Sequence, residues 1–162
     1  MQGKRALFLF LFIALFCLYS NAHYTPKQYI EKFAPVAIEM MHRYEIPASV
    51  ILGIAFLESG YGNSKNCILL KNHFGLVGKN NLRKKGKYRS AYKQFDHDTL
   101  SYDYFCRTIV SKKYYHRIKG KMNYKIWLSK IHRHNYARAK HTWLKHITQI
   151  IKKYHLYRFD VI

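Results

Sequence analysis

The chain has 162 residues, with 29 Lys and Arg against 8 Asp and Glu, a formal charge of +21. That length allows one domain with a substantial core, and so basic a balance directs the surface towards nucleic acid, acidic lipid or the carboxylates and phosphates of a cell envelope. The sequence has no His-Glu-x-x-His, Cys-x-x-Cys or Gly-x-Ser-x-Gly, so it gives no support to a zinc site or a serine hydrolase, and no metal or organic cofactor is expected.

The first 22 residues read as a removable address. Lys4 and Arg5 are a basic start, Ala6 to Tyr19 is an apolar run too short for a comfortable membrane span, and Ser20 and Ala22 are the small residues expected before a cleavage site. Residues 1–22 are therefore expected to be a signal peptide cleaved near Ala22, with export to the periplasm or beyond. Residues 23–162 are then one domain with no stable membrane span. A retained N-terminal anchor is the alternative; lipidation at Cys17 conflicts with the bulky Phe16 before it. Removing the address leaves 27 basic residues against 8 acidic, a balance of +19. For an exported protein the expected partners are anionic envelope polymers, with no specific nucleic acid, and the chain is expected to be a monomer.

Thr25-Pro26 predicts a helix start, and Pro35 predicts a break or kink before a second piece ending near Tyr44. Pro47 to Ser59 reads as one helix, with Ile51, Ile54 and Ala55 as its buried stripe and Gly60 and Gly62 at its exit. Tyr61 to Lys71 is a loop with room for one helical turn. Phe74–Gly78 and Tyr88–Phe95 read as two short strands around the basic turn Lys79–Lys87, a small β-hairpin lobe. Asp96 or Asp98 is expected to cap a helix reaching about Val110. After the basic, tyrosine-rich stretch Lys112–Lys121, Met122–His132 is helical with Ile126, Trp127 and Ile131 inward. The last helix, about Ala139 to Tyr154, turns Trp143, Ile147, Ile150, Ile151 and Tyr154 to the core and Lys140, Lys145, Lys152 and Lys153 outward. The fold class is α+β, mostly α. Cys67 and Cys106 fit either a disulfide or buried free thiols, Cys106 sharing a stripe with Tyr102, Phe105 and Ile109.

Glu58 stands out chemically. It lies seven residues after Ile51, on the same stripe, and is the only acid between Glu45 and Asp96. Apolar neighbours disfavour its charged form, and the negative end of the helix dipole pushes the same way, so its pKa should rise. A carboxyl that keeps its proton at the edge of a core is what a glycosidase general acid requires. The alternative is a structural glutamate turned to solvent. The tyrosine–lysine interleaving also fits a basic binding module for single-stranded nucleic acid or glycan.

Taken together, Pro47–Gly62 with its Glu-Ser-Gly-Tyr-Gly end, Asn72-His73-Phe74-Gly75-Leu76, Phe95-Asp96 with Ser101-Tyr102-Asp103, and Tyr136-Ala137 with Trp143 and Ile150–Leu156 resemble the bacterial peptidoglycan endo-β-N-acetylglucosaminidases, the family of the flagellar rod-associated wall hydrolase domain. The resemblance implies a lysozyme-like fold with a groove for a glycan strand. It places the general acid on Glu58 and an active-site tyrosine on Tyr136. Substrate-binding positions fall on Tyr61, Asn72, Phe74, Gly75, Asp96 and Tyr102, and the partner is the glycan strand of peptidoglycan. Two positions depart from the family pattern. Arg89 and Ser90 stand where relatives often carry a second acid, and Arg138 replaces the threonine after Tyr-Ala. With one carboxyl, the substrate's own N-acetyl group can serve as nucleophile, or Asp96 can orient water. A lytic transglycosylase, which needs no water, and a non-catalytic glycan-binding relic are the alternatives. The basic lobe, if close, would pull the Glu58 pKa down against its apolar surroundings.

Overall fold

The structure is a computed structural model and describes residues 23–134 and 140–161, excepting the side chains of 140 and 141. The expected signal peptide, Tyr136 and Arg138 lie outside the described residues. Helix α1 spans Pro26–Tyr44 and opens with a capping box: Thr25 Oγ1 accepts from Gln28 N at 3.3 Å, and Gln28 Oε1 accepts from Thr25 N at 2.9 Å. Contrary to expectation, it runs on through Pro35 as one helix. Pro35 and Glu31, whose carbonyl it leaves without a donor, both lie on the exposed face, the side on which water can serve that carbonyl.

Helix α2, Ala48–Glu58, is the axis of the molecule. The expected stripe is in fact a rod buried on all sides, every residue from Ala48 to Phe56 being inside. Around it pack α1, α5 (Asp98–Val110), α7 (Tyr124–Arg133), α8 (Lys140–Lys153) and a 3₁₀ turn, Leu156–Phe159. Gly53 permits the close approach of α8, since a Cβ there would lie 3.0 Å from Ile151 Cγ1. At its exit, Tyr61 N donates to Phe56 O at 2.8 Å and Gly60 N to Leu57 O at 3.2 Å, with Gly60 left-handed at φ +55°, a Schellman ending.

The start of α2 is capped from the far end of the chain. Pro47 offers no side-chain acceptor. Instead Asp160 accepts from Ser49 N at 2.7 Å and Ser49 Oγ at 2.6 Å, placing a carboxylate at the positive end of the helix. Asp160→Ala should therefore cost about 0.5–2 kcal/mol, the usual worth of an N-cap. Asp160→Asn, which keeps one acceptor oxygen, should cost less. Urea midpoints of the two variants measure the difference, and equal losses would show that the second oxygen contributes nothing.

The connection after α2 holds the expected helical turn as α3, Lys65–Leu70. The two expected strands of the lobe do not form among the described residues. One antiparallel bridge, Val77 to Tyr92, joins the segments, and α4, Asn81–Lys84, occupies the turn. Pairing is short: Lys93 N donates to Leu76 O at 2.6 Å and Gly78 N to Ala91 O at 3.0 Å. At the base of the lobe Asn72 Nδ2 donates to Leu76 O and Lys93 O, both at 2.8 Å, tying the two segments together.

Neither expected carboxylate caps α5: His97 is its N-cap residue, Asp98 is its first helical residue, and Asp96 is exposed. A short α6, Tyr115–Ile118, precedes α7, whose buried residues are Trp127, Leu128 and Ile131, Ile126 being half-buried. In α8, Trp143, Ile147 and Ile151 are buried, while Ile150 and Tyr154 are half-covered. Cys67 and Cys106 are buried free thiols. No helix among the described residues is long and apolar enough to cross a membrane.

Candidate active site

Glu58 sits where α2 emerges from its sheath of helices, and it is half-buried. Its Oε1 accepts from the indole Nε1 of Trp143 at 2.8 Å. Its Oε2 faces the chain at Gly75, where a Cβ would lie 3.8 Å from that oxygen and 3.7 Å from Tyr92 Cε1. Gly75 is left-handed at φ +63°, so glycine lets this turn pass beside the carboxyl at no conformational cost. Burial raises the Glu58 pKa above its ordinary value, and the Trp143 hydrogen bond opposes the rise. The net shift is upward, so burial outweighs any pull from the basic lobe. Trp143→Phe keeps the ring but removes the donor that favours the carboxylate. The alkaline limb of any activity dependent on protonated Glu58 should therefore move to higher pH. An unmoved limb would mean that this bond does not tune the acid.

Asn72, Phe74 and Tyr102 do not line a groove in this structure. Asn72 is 1% exposed, and its oxygen accepts from Phe74 N and Leu76 N while its nitrogen donates to the two carbonyls described above. It is a clamp that shapes the turn carrying Gly75. Phe74 stacks on Phe105 at 4.2 Å and 6°, anchoring that turn in the core. Tyr102 is fully buried because its hydroxyl and that of Tyr29 are hydrogen-bonded to each other at 3.0 Å. Asp96 is exposed, in a pocket with Lys93, Gln94, Phe95, Leu100, Tyr104 and Arg107 that Glu58 does not line. Tyr61 is 36% exposed with its ring 5.5 Å from Phe56, and it remains available to a ligand. Tyr136, between α7 and α8, is outside the described residues.

A buried polar network lies behind the acid. His73 Nδ1 accepts from the Tyr29 hydroxyl at 2.8 Å, and His73 Nε2 donates to Asp98 Oδ1 at 3.0 Å. Burial lowers the His73 pKa, and this pairing suits the neutral ring. Ser59, the residue after Glu58, donates to Ala55 O at 2.6 Å, accepts from Gly62 N at 2.8 Å and approaches the Tyr29 hydroxyl at 3.4 Å. The network thus ties the end of α2 to α1, to the Asn72–Gly75 turn and to α5. Sequence reasoning missed it, as it missed the Trp143 bond and Tyr92. A buried tryptophan needs an acceptor for its N–H, which was the one available signal for the Trp143 bond. A groove of about 610 Å³ between Phe56, Leu57, Ile150 and Tyr154, rimmed by Lys152 and Lys153, is not lined by Glu58.

Comparison with known proteins bears on the family and the fold that carry this carboxyl. The profile of the glucosaminidase family, mannosyl-glycoprotein endo-beta-N-acetylglucosaminidase, matches residues 34–156. The chain belongs to that family and so to the glycoside hydrolases. No curated protein matches it by sequence. Among solved structures it resembles the catalytic domain of the autolysin Auto from Listeria monocytogenes, with TM-score 0.68 and 18% identity over 89% of this chain and 93% of that one. It also resembles the glycoside hydrolase domain of FlgJ from Salmonella typhimurium, with TM-score 0.65 and 15% identity over 82% and 89%. A peptidoglycan hydrolase from Sphingomonas sp. A1 gives TM-score 0.62 and 14% identity over 81% and 90%. These likenesses establish a mostly helical fold shared with the three solved proteins.

Proposed function

We propose that the protein is an exported wall hydrolase that cuts β-1,4 bonds of peptidoglycan glycan strands as an N-acetylglucosaminidase, with Glu58 as general acid. The observation that carries this reading is the split environment of the Glu58 carboxyl. One oxygen is fixed by Trp143, while the other has no hydrogen-bond partner among the described residues, and burial favours the protonated form. Oε2 can then carry the proton to the leaving glycosidic oxygen. Tyr61 supplies an exposed ring for the apolar face of a sugar, and Tyr136 supports the positive charge that develops at the reacting carbon. From Ser59 to Phe95 the sequence carries no Asp or Glu, which favours participation by the substrate's own N-acetyl group over the two-carboxyl routes. Export by residues 1–22 and the basic surface bring the enzyme to its wall.

Product analysis on purified glycan strands tests the bond. Reducing N-acetylglucosamine ends are expected. Anhydromuramic ends would instead make the protein a lytic transglycosylase, and binding without cleavage would make it a glycan-binding module.

A further inference from the structure

Arg83 and Arg89 line one pocket of about 520 Å³, together with Ser90 and Ala91. We infer that this pocket is a binding site for an oxyanion, a phosphate or a carboxylate, of the polymer on which the protein works. The identity of the polymer rests on the proposed wall function; the anion site does not.

The pocket is built on a fixed turn. Asn80 Oδ1 accepts from Arg83 N at 3.0 Å, and Leu82 O accepts from Lys87 N at 2.9 Å and from Tyr88 N at 3.2 Å, which folds Arg89 back beside Arg83. The far wall is tied down as well. Asn66 Oδ1 accepts from the Tyr88 hydroxyl at 2.9 Å and from Ser90 Oγ at 3.3 Å, and Ser90 Oγ accepts from Tyr92 N at 3.2 Å. Both arginines are exposed, and they line one open pocket whose backbone is held on both sides.

Neither has an acid to pair with. The ion pairs among the described residues all lie elsewhere. From Ser59 to Phe95 the sequence has nine Lys and Arg and no Asp or Glu. Lys65 and Lys93 rest on aromatic rings, whereas Lys84, Lys85 and Lys87 beside the pocket are exposed. Elsewhere in the lobe, outside the pocket lining, Asn80 Nδ2 is a buried donor with no acceptor among the described residues. The lobe is rich in donors and positive charge and short of acceptors. Like charges held in one cavity repel, and an anion between them removes the repulsion while meeting the planar fork of each guanidinium. The lining residues include no aromatic ring, so a base has nothing to stack on there, and a nucleic acid fits less well than a polymer bearing isolated anionic groups.

Two measurements test the site, both on the Glu58→Gln protein so that walls stay intact. First, inorganic phosphate and acetate are titrated while the arginine Nε–H signals are followed by NMR. The Arg83 and Arg89 signals should shift together and saturate, and Arg89→Gln should abolish the shift at Arg83. Linear drift of all lysine and arginine signals alike overturns the site. Second, retention on wall sacculi is compared for the parent, Arg83→Gln/Arg89→Gln and Arg83→Lys/Arg89→Lys. The glutamine pair should bind about tenfold more weakly, and the lysine pair should fall between, since it keeps the charge without the fork. A matched pair, Lys27→Gln/Lys125→Gln, should lose less. Sacculi stripped of phosphate polymers and sacculi stripped of stem peptides identify the source: the treatment that erases the difference between parent and glutamine pair removed the ligand. If the glutamine pair binds as the parent does, or loses no more than the matched pair, the inference is wrong. Failure of the wall-hydrolase reading would show separately, as wild-type protein that releases no soluble product from the same sacculi.

Discussion

Glu58→Gln is expected to lower turnover on glycan strands by about 10²–10⁴-fold, the usual worth of a positioned general acid, and to leave the protein folded. Glutamine keeps the size of the side chain and an oxygen to accept from Trp143 Nε1, but it has no acidic proton to give. In the wild type, activity should fall on the alkaline side as pH rises through the raised pKa of Glu58. The stability linkage has a definite sign. A carboxyl whose folded pKa lies above the ordinary 4.5 holds its proton more tightly in the native state. Its contribution is fully present below the ordinary value and is lost as pH rises through the folded one. Glutamine cannot ionise and escapes that loss, so at neutral pH the variant should be at least as stable as the wild type. A single pair of experiments, turnover against pH and thermal melts at pH 4 and 7, checks both halves. Wild-type turnover in the variant removes Glu58 from the mechanism.

The parts of this site that were legible in the sequence are those fixed by local chemistry. Thr25-Pro26 announces a helix start because capping acts within one turn, and Gly60 announces an exit because a left-handed residue is needed there. Glu58 could be singled out because it is an isolated acid at the end of an apolar run. The face it occupies could not be read, because α2 is apolar on every side and periodicity has no contrast to work with. Pro35 was misread for the opposite reason: its cost depends on whether the orphaned carbonyl meets water, and only the fold shows that face to be exposed. Asn72, Phe74 and Tyr102 have residue types that serve equally in a sugar groove and in a core. What decides between these roles is contact with Leu76, Lys93, Phe105 and Tyr29. The tuning of the acid was least legible, since Trp143 lies 85 residues from Glu58 and the His73 network draws on Tyr29, Asp98 and Tyr102 from two helices.

That network also decides what one added methyl group costs at the exit of α2. Gly60 and Gly62 are both left-handed, at φ +55° and +83°, and alanine at either is strained by about 1–2 kcal/mol. Their surroundings differ. A Cβ at Gly60 meets nothing closer than Ser64 N at 4.0 Å, whereas a Cβ at Gly62 would lie 2.8 Å from Tyr24 Cδ2 and 2.9 Å from Tyr29 Cδ2. Tyr24, near the chain surface, can move. Tyr29 is fully buried, and its hydroxyl is hydrogen-bonded to His73 at 2.8 Å and Tyr102 at 3.0 Å, so its ring cannot swing away without breaking that pair. The Gly62 backbone is held in turn by its bond to Ser59 Oγ. Overpacking of this kind adds about 1–3 kcal/mol. Gly62→Ala should therefore cost about 2–5 kcal/mol in all and lower the melting temperature by roughly 5–15 °C, while Gly60→Ala should lower it by only a few degrees. Differential scanning calorimetry on the two variants makes the comparison. Equal losses at both positions would show that Tyr29 is free to yield, and with it the turn that brings Gly75 against the Glu58 carboxyl.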